Sequence, residues 1–382
     1  MVGWQTIPLG EVLTFQRGFD ITKEEQREGP YPVISSSGTK STHAEFKVRG
    51  PGVIIGRKGS LGTVFYSDRD YWPHDTTLWI KDFHGNVPRF AYCFLQTMGF
   101  ERLDAGASNP SLNRNHIHTI PVRWPPVPVQ RRIAGILSAY DGLIENSQQR
   151  IRILEEMARA LYREWFVAFR YPGHEKVPRI ASPIGDIPQG WEVKKLGAIA
   201  EDMRRNVAKG ELDEPKPYVG LEHIPRRSLA LDAWEMATNL GSNKLEFKKG
   251  EVLFGKIRPY FHKVSVAPFD GLCSADTIVI RSRRPEHCAL VVACVSSDAF
   301  VAQASATANG AKMPRANWDV LEKYEIVVPK GKVADQFSVL FADIIAQQQA
   351  LIFQIQNLRR TRDLLLPRLL SGDIPNLVCP TE

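Results

Sequence analysis

Residues 125–165 read PPVPVQRRIAGILSAYDGLIENSQQRIRILEEMARALYREW, and residues 329–369 read PKGKVADQFSVLFADIIAQQQALIFQIQNLRRTRDLLLPRL. A shift of 204 residues lays Pro125 on Pro329 and, without a gap, pairs Ile133, Ile136, Leu137 and Tyr140 with Phe337, Leu340, Phe341 and Ile344. The match continues through Ile151 on Ile355, Leu154 on Leu358 and Leu161 on Leu365. Apolar residues recur in each copy at the 3.5-residue spacing of a heptad seam, so each predicts a long helix, near 130–168 and 333–371. At 1.5 Å per residue, each helix is about 55 Å long.

The first seam comprises Ile133, Leu137, Tyr140, Ile144, Ile151, Leu154 and Leu161, and the second Phe337, Phe341, Ile344, Leu351, Ile355, Leu358 and Leu365. Ser147, Gln348 and Arg362 are the polar entries. Two seams of equal period and length can bury each other, so the reading is an antiparallel coiled coil acting as a rigid spacer, with Gln348 and Arg362 available to fix register. The plainer alternative is two separate amphipathic helices, each packed on its own domain.

The segments before the helices also correspond. Gly52-Val53-Ile54-Ile55-Gly56-Arg57-Lys58-Gly59 matches Gly250-Glu251-Val252-Leu253-Phe254-Gly255-Lys256-Ile257, and Asp75 to Ile80 matches Asp276 to Ile280. Trp4 to Gly10 matches Trp191 to Gly197, and Ile117 to Pro125 matches Leu321 to Pro329. The fold class expected is therefore α+β: two globular domains in a pseudo-twofold repeat, separated by two long helices. Boundaries fall at 1–127 (domain 1), 128–170 (helix 1), 171–190 (a Pro- and Gly-rich linker), 191–328 (domain 2), 329–373 (helix 2) and 374–382 (tail). Short apolar runs punctuated by Gly, Pro and Asn predict largely antiparallel sheet in each domain, with short helices near 88–98 and 287–303.

The chain has 382 residues, 43% hydrophobic and 24% charged, which excludes disordered, collagen-like and disulfide-scaffold classes. No apolar run approaches the roughly 18–20 residues that cross a bilayer, and the start lacks a basic segment followed by an apolar one; the expectation is a cytoplasmic protein without a membrane partner. Five cysteines without CxxC or Cys/His spacing read as buried free thiols, with no zinc site and no other metal. A net charge of +7 and a pI near 9.1 point mildly to a polyanionic partner. Segments 1–128, 129–170, 171–328 and 329–382 carry +2, +2, +2 and +1, so no segment is a basic arm.

Catalytic constellations are weak throughout. Gly250 to Lys256 has the spacing of a phosphate loop, but Ile257 stands where a hydroxyl would hold magnesium. Asn109-Pro110 continues as Ser111-Leu112, not as the Asn-Pro-Pro-aromatic tetrapeptide of an amino-methyltransferase. His116 and His118 sit on a presumed strand as surface histidines, and Glu214-Pro215-Lys216 reads as a solvated loop. Clusters suited to binding remain. Arg57, Lys58 and Ser60 follow one glycine turn, and Lys256, Arg258, Tyr260, His262 and Lys263 follow the other. A second pair of clusters holds Asn109, Asn113 and Arg114 in one copy and Lys312 and Arg315 in the other. Lys and Arg anchor phosphates and read guanine edges, and Asn can pair with adenine, so these side chains form the candidate DNA-binding set.

The order of several phrases resembles the DNA-specificity subunit of type I restriction-modification systems. They are Trp4 to Leu13, Gly56-Arg57-Lys58-Gly59-Ser60-Leu61-Gly62, Pro128 to Leu137, Ala160 to Phe166, Ile184 to Trp191 and Leu365 to Gly372. The resemblance implies that each domain is a target-recognition domain reading one half of a bipartite, asymmetric site in double-stranded DNA. It implies helices that set the distance between halves and dock two methyltransferase subunits, which carry S-adenosylmethionine. It also implies restriction-translocase subunits using ATP and magnesium, and no cofactor or catalytic residue on this chain. Competing classes are a restriction endonuclease or methyltransferase with a fused recognition region, and a structural protein that dimerises through its coiled coil.

Overall fold

The computed structural model describes residues 3–104 and 111–371. The tail at 374–382 and Cys379 lie outside the described residues. The chain divides into two compact units, residues 1–143 with 358–382 and residues 144–357.

In the first unit a four-stranded antiparallel sheet runs in the order Thr14–Arg17, Thr77–Asp82, Gly52–Gly56, Val64–Ser67. Gly52–Gly56 lies inside it and is buried along its whole length, which is why it reads as an unbroken apolar run rather than an alternating one. A second sheet places Tyr31–Ser35 between Gly38–His43 and Trp72–Pro73. Gln5–Pro8 pairs with Pro121–Trp124. The core is formed by Leu9, Leu13, Phe15, Val53, Ile55 and the aromatic face of helix Pro88–Leu95, where Trp124 meets Phe90 and Phe94 edge-on at 5.1 and 4.9 Å.

The second unit has the same plan. Its four-stranded sheet runs Ala200–Asp202, Thr277–Ser282, Val252–Gly255, Val264–Val266, and Glu192–Lys195 pairs with Glu325–Val328. Its other sheet is larger, five strands with Gly271–Ser274 at the centre, and its helical layer has two short helices, Cys288–Val295 and Asp298–Ala306. Both units contain one parallel strand pairing among antiparallel ones.

Gly56 stands opposite Thr77, and Gly255 opposite Thr277. Equivalent residues are therefore Gly56 with Gly255 and Arg57 with Lys256, one position away from the sequence match, which aligned the leading glycines Gly52 and Gly250. The pairing at the strand end sets the register, and only the second of the two glycines is at that end.

The two long helices span Val127–Tyr162, continued by a π turn at Arg163–Val167, and Lys332–Leu370. In the first unit Ile133 and Leu137 are buried in the core beside Leu369 and Leu370, and Tyr140, Leu358 and Leu365 are half-buried. Arg362 donates to the Asp141 carboxylate at 2.8 Å, and Arg89 to the same carboxylate at 2.5 Å. In the second unit Ile144, Ile151, Leu154, Phe337, Phe341, Ile344, Leu351 and Ile355 are buried and Leu161 is half-buried. Phe337 meets Trp165 and Phe166 with ring centroids 5.8 and 4.6 Å apart. Within each unit the beginning of one helix meets the end of the other.

Several local expectations change. Residues 114–118 are a short helix rather than a strand, because the Asn113 side chain caps it by accepting from the Asn115 N–H at 3.0 Å. His118 is half-buried, with Nε2 accepting from the Phe15 N–H at 2.9 Å. Glu214-Pro215-Lys216 lies in the exposed strand Gly210–Val219, at a register shift between Glu211 and Lys216 where proline needs no ladder N–H. Segment 171–190 holds the hairpin Arg179–Ile180 with Ile187–Pro188, and Tyr171 stacks on Trp191 at 5.0 Å. Cys93, Cys273 and Cys294 are buried free thiols, pushed up to about 11, 12 and 12 by burial, but Cys288 is exposed. Lys332–Leu370 is long and apolar enough to cross a membrane by length and composition, with a window of mean hydropathy 1.2. The apolar residues behind that figure include the seam positions buried above.

Candidate nucleic-acid interface

In the first unit the candidate site starts where strand Gly52–Gly56 ends. A side chain at Gly56 would place its Cβ 2.1 Å from the Ser60 carbonyl oxygen and 2.6 Å from Thr63 Oγ1, so the turn requires glycine. The turn is closed by the Gly56 N–H donating to Thr63 O at 2.8 Å and the Gly62 N–H to Gly56 O at 2.9 Å. The Thr63 hydroxyl donates to Ser36 O at 2.7 Å. The backbone N–H groups of Arg57 and Lys58 both donate to Thr76 O, at 2.8 and 3.1 Å.

The two polar clusters, distant in sequence, meet here. Lys58 and Ser111 form an antiparallel bridge, and the Leu112 N–H donates to Arg57 O at 3.0 Å. This brings Arg57, Lys58 and Ser60 to the stretch that carries Asn113 and Arg114. Ser60, Asn113 and Arg114 are exposed, Arg57 and Lys58 half-buried, and Asn109 lies outside the described residues. Burial, with the Arg17 guanidinium nearby, lowers the Arg57 pKa against the opposing pull of Asp75, and Arg57 Nη1 is buried without a hydrogen-bond partner. Arg17 pairs with Asp75 at 3.0 Å. Asp20, His74 and Asp75 bring ligand-type atoms within 4.8 Å of one another, but Asp75 is already engaged by Arg17 and His74, as suits a structural ion-pair cluster.

The second unit repeats the junction with other side chains. The Lys256 N–H donates to Asp276 O at 2.8 Å, the Ala316 N–H to Lys256 O at 3.0 Å and the Arg258 N–H to Pro314 O at 2.8 Å. Ile257 and Arg315 form the antiparallel bridge. Lys256, Arg258, Tyr260 and Lys263 are thus gathered with Arg315, whose guanidinium lies 3.4 Å from Asp276, and Lys312 is exposed on the same loop. Lys256 Nζ donates to Ala275 O at 3.0 Å. The Lys263 ammonium donates to Leu221 O, and burial, with Arg226 adding, lowers its pKa. His262 is buried, its Nε2 on Ser296 O at 2.9 Å, and burial lowers its pKa too.

The sequence reading missed Arg226 and what holds it. Its guanidinium lies 4.0 Å from the centroid of the Phe261 ring, and its backbone bridges Lys263. Behind it, the buried Glu155 carboxylate on the first long helix accepts from the Ser228 hydroxyl at 2.5 Å and from the N–H groups of Leu229 and Ala230 at 2.8 and 3.3 Å. Arg159 donates to Arg227 O at 3.2 Å. The Arg226-Arg227 doublet was a sequence signal that could have been used; nothing in the sequence ties Glu155 to a loop more than seventy positions away.

Each site therefore offers guanidinium and ammonium groups, hydroxyls and, in the second unit, exposed aromatic surface. Groups of these kinds can neutralise phosphate and pair with base edges.

Residues 1–156 match the family model described as Type I restriction modification DNA specificity domain. Over 312 residues the chain is 25% identical to the type I restriction enzyme MjaIX specificity subunit of Methanocaldococcus jannaschii, covering 76% of this chain and 70% of the relative. It is 23% identical over 379 residues to the type I restriction enzyme EcoDI specificity subunit of Escherichia coli, covering 91% and 84%. Its fold is similar to the crystal structure of a type I restriction-modification S subunit from M. genitalium, with a TM-score of 0.64, 15% identity and 96% of each chain covered.

Proposed function

We propose that this chain is a type I restriction-modification specificity subunit that reads a bipartite, asymmetric sequence in double-stranded DNA, one half with each unit, and performs no chemistry itself. The observation that carries the reading is the repeated junction: in both units a basic loop after a glycine-ended strand is pinned by a backbone bridge to a distant polar loop, Lys58 to Ser111 and Ile257 to Arg315. Polar and cationic side chains from two sequence regions converge there twice, and two such surfaces suit two half-sites.

The long helices act as the spacer. Supporting this, Arg362 meets Asp141 in the first unit and Phe337 meets Phe166 in the second, the beginning of one helix against the end of the other in each. At about 55 Å, such a rod separates two sites by roughly one to one and a half turns of DNA, a turn being about 34–36 Å. The partners are two methyltransferase subunits docked on the helices, supplying S-adenosylmethionine, and restriction subunits supplying ATP and magnesium. The complex works in the cytoplasm. The even spread of the +7 charge implies that this chain alone binds DNA modestly, with tight binding arising when partners close around the duplex.

The test is methylation of random-sequence DNA by the chain with its methyltransferase partners, read by modification sequencing. Methylated sites made of two separated halves are expected. Methylation without a two-part site contradicts the reading, as does methyl transfer by this chain alone.

A further inference from the structure

The loop Arg258–Lys263 of the second unit holds an aromatic ring outward. Tyr260 is 56% exposed, while the residues on either side of it in the loop are fixed. Arg258 and His262 both take left-handed backbone conformations, φ +50° and +53°, and between them Pro259–Phe261 forms a single 3-10 turn. The Phe261 N–H donates to Arg258 O at 2.9 Å and the His262 N–H to Pro259 O at 2.8 Å. Pro259 and His262 are buried, so the turn is anchored at both ends and its tip cannot fold inward.

The ring adjoins a neighbour that carries cations. Its centroid is 4.9 Å from that of Phe261 at 70°, and Phe261 in turn carries the Arg226 guanidinium on its face and that of Arg258 at 5.9 Å. Arg258 Nε is buried without a hydrogen-bond partner. An aromatic ring at the tip of an anchored turn, with guanidinium groups on the neighbouring ring, suits a bent or opened duplex: the cations can hold phosphate, and the ring can take the place of a neighbouring base.

We infer that Tyr260 is a wedge that stacks into a base step of the half-site read by the second unit. The inference rests on the DNA-reading function proposed above and deepens it. The first unit has no counterpart, since Gly59, Ser60 and Leu61 occupy the tip of its loop. Wedge-driven unstacking therefore occurs in one half of the recognised sequence and not in the other, apart from the target base that each methyltransferase extrudes. Because the face of the ring does the work, a phenyl group serves in its place and a methyl group does not.

The experiment uses the full chain with its methyltransferase partners and the two-part site mapped by methylation. Duplexes carry a fluorescent base analogue, 2-aminopurine or pyrrolocytosine, at successive steps of both halves. Away from the target base that each methyltransferase extrudes, binding is expected to raise fluorescence severalfold at one step, in one half only. Tyr260→Ala abolishes the rise and weakens binding about tenfold; Tyr260→Phe retains both. Two-part methylation with no brightening beyond the target bases, or such brightening surviving Tyr260→Ala, overturns the wedge while leaving the DNA-reading function standing. Loss in Tyr260→Phe equal to that in Tyr260→Ala also overturns it, because the hydroxyl would then be the contact. Failure to methylate any two-part site overturns the function beneath it.

Discussion

In the first unit the loop after the glycine-ended strand turns through Gly59 and Gly62, both at positive φ, whereas in the second the same place turns through Arg258 and His262 at φ +50° and +53°. Side chains in that conformation cost ~1 kcal/mol each, which the second unit offsets by burying His262 and tying Arg258 to Pro314. The first unit avoids the strain and so has no rigid side chain at its loop tip. The anchors differ as well. Glu155 holds the Ser228–Ala230 stretch of the second unit, while the position matching it under the 204-residue shift is Arg359, a cation that cannot accept those hydrogen bonds. One scaffold thus presents a compact glycine turn in one unit and a braced, aromatic one in the other, as the two unlike half-sites of the proposed function would require.

The contrast can be broken most strongly at Glu155. Replacing it with alanine leaves the Ser228 hydroxyl and two backbone N–H groups without their acceptor, and about 3 kcal/mol or more of second-unit stability is expected to go. Hydrogen exchange should accelerate at Leu229 and Ala230, with the first unit unchanged. Equal protection in the variant would show that the carboxylate is not the anchor.

The equivalent glycines give a smaller effect of opposite emphasis. Gly56→Ala forces a Cβ against backbone at 2.1 Å and is expected to cost about 1–3 kcal/mol. Gly255→Ala meets Lys263 Cβ at 3.2 Å, a neighbour that need move only slightly, and costs less, under about 1 kcal/mol. Thermal unfolding of the two variants ranks them, and a reversed order would contradict the description of the two turns.

The mildest separation is in pH. Burial lowers the pKa of His118 in the first unit and of His262 in the second. The unfolded chain then takes up protons near pH 6.5 that the folded chain refuses, so stability is complete above about 6.5 and is lost as pH falls toward the lower folded values. His118 Nε2 accepts a hydrogen bond and must be neutral to do so, whereas His262 Nε2 donates to Ser296 O and can keep that bond when protonated. His118→Gln should therefore flatten the acid limb of the melting profile more than His262→Gln; the reverse ranking would contradict these assignments.

The long helices were legible because an apolar residue every three to four positions marks one buried face of a helix. Ile133, Leu137, Phe337 and Phe341 are buried, and polar Arg362 meets Asp141. The buried strands Gly52–Gly56 and Thr277–Ser282 were legible as apolar runs. Their register was not, since the leading glycines Gly52 and Gly250 are one position out of register, and the pairing that decides it is made across a sheet. Arg57 and Arg315 could be nominated from residue type. That Lys58 meets Ser111 could not, because loop-to-loop bridges leave no periodic trace. Asn113 shows the limit of residue type: an amide suited to reading adenine uses its oxygen to cap a helix.

The central claim is that two unlike modules are held apart by a helical ruler, and its most direct measurement is the recognised sequence of a chain with one heptad removed from both long helices, at matched positions. Modification sequencing with the methyltransferase partners should return the same two halves with a shorter gap between them. Altered halves with an unchanged gap would contradict the ruler.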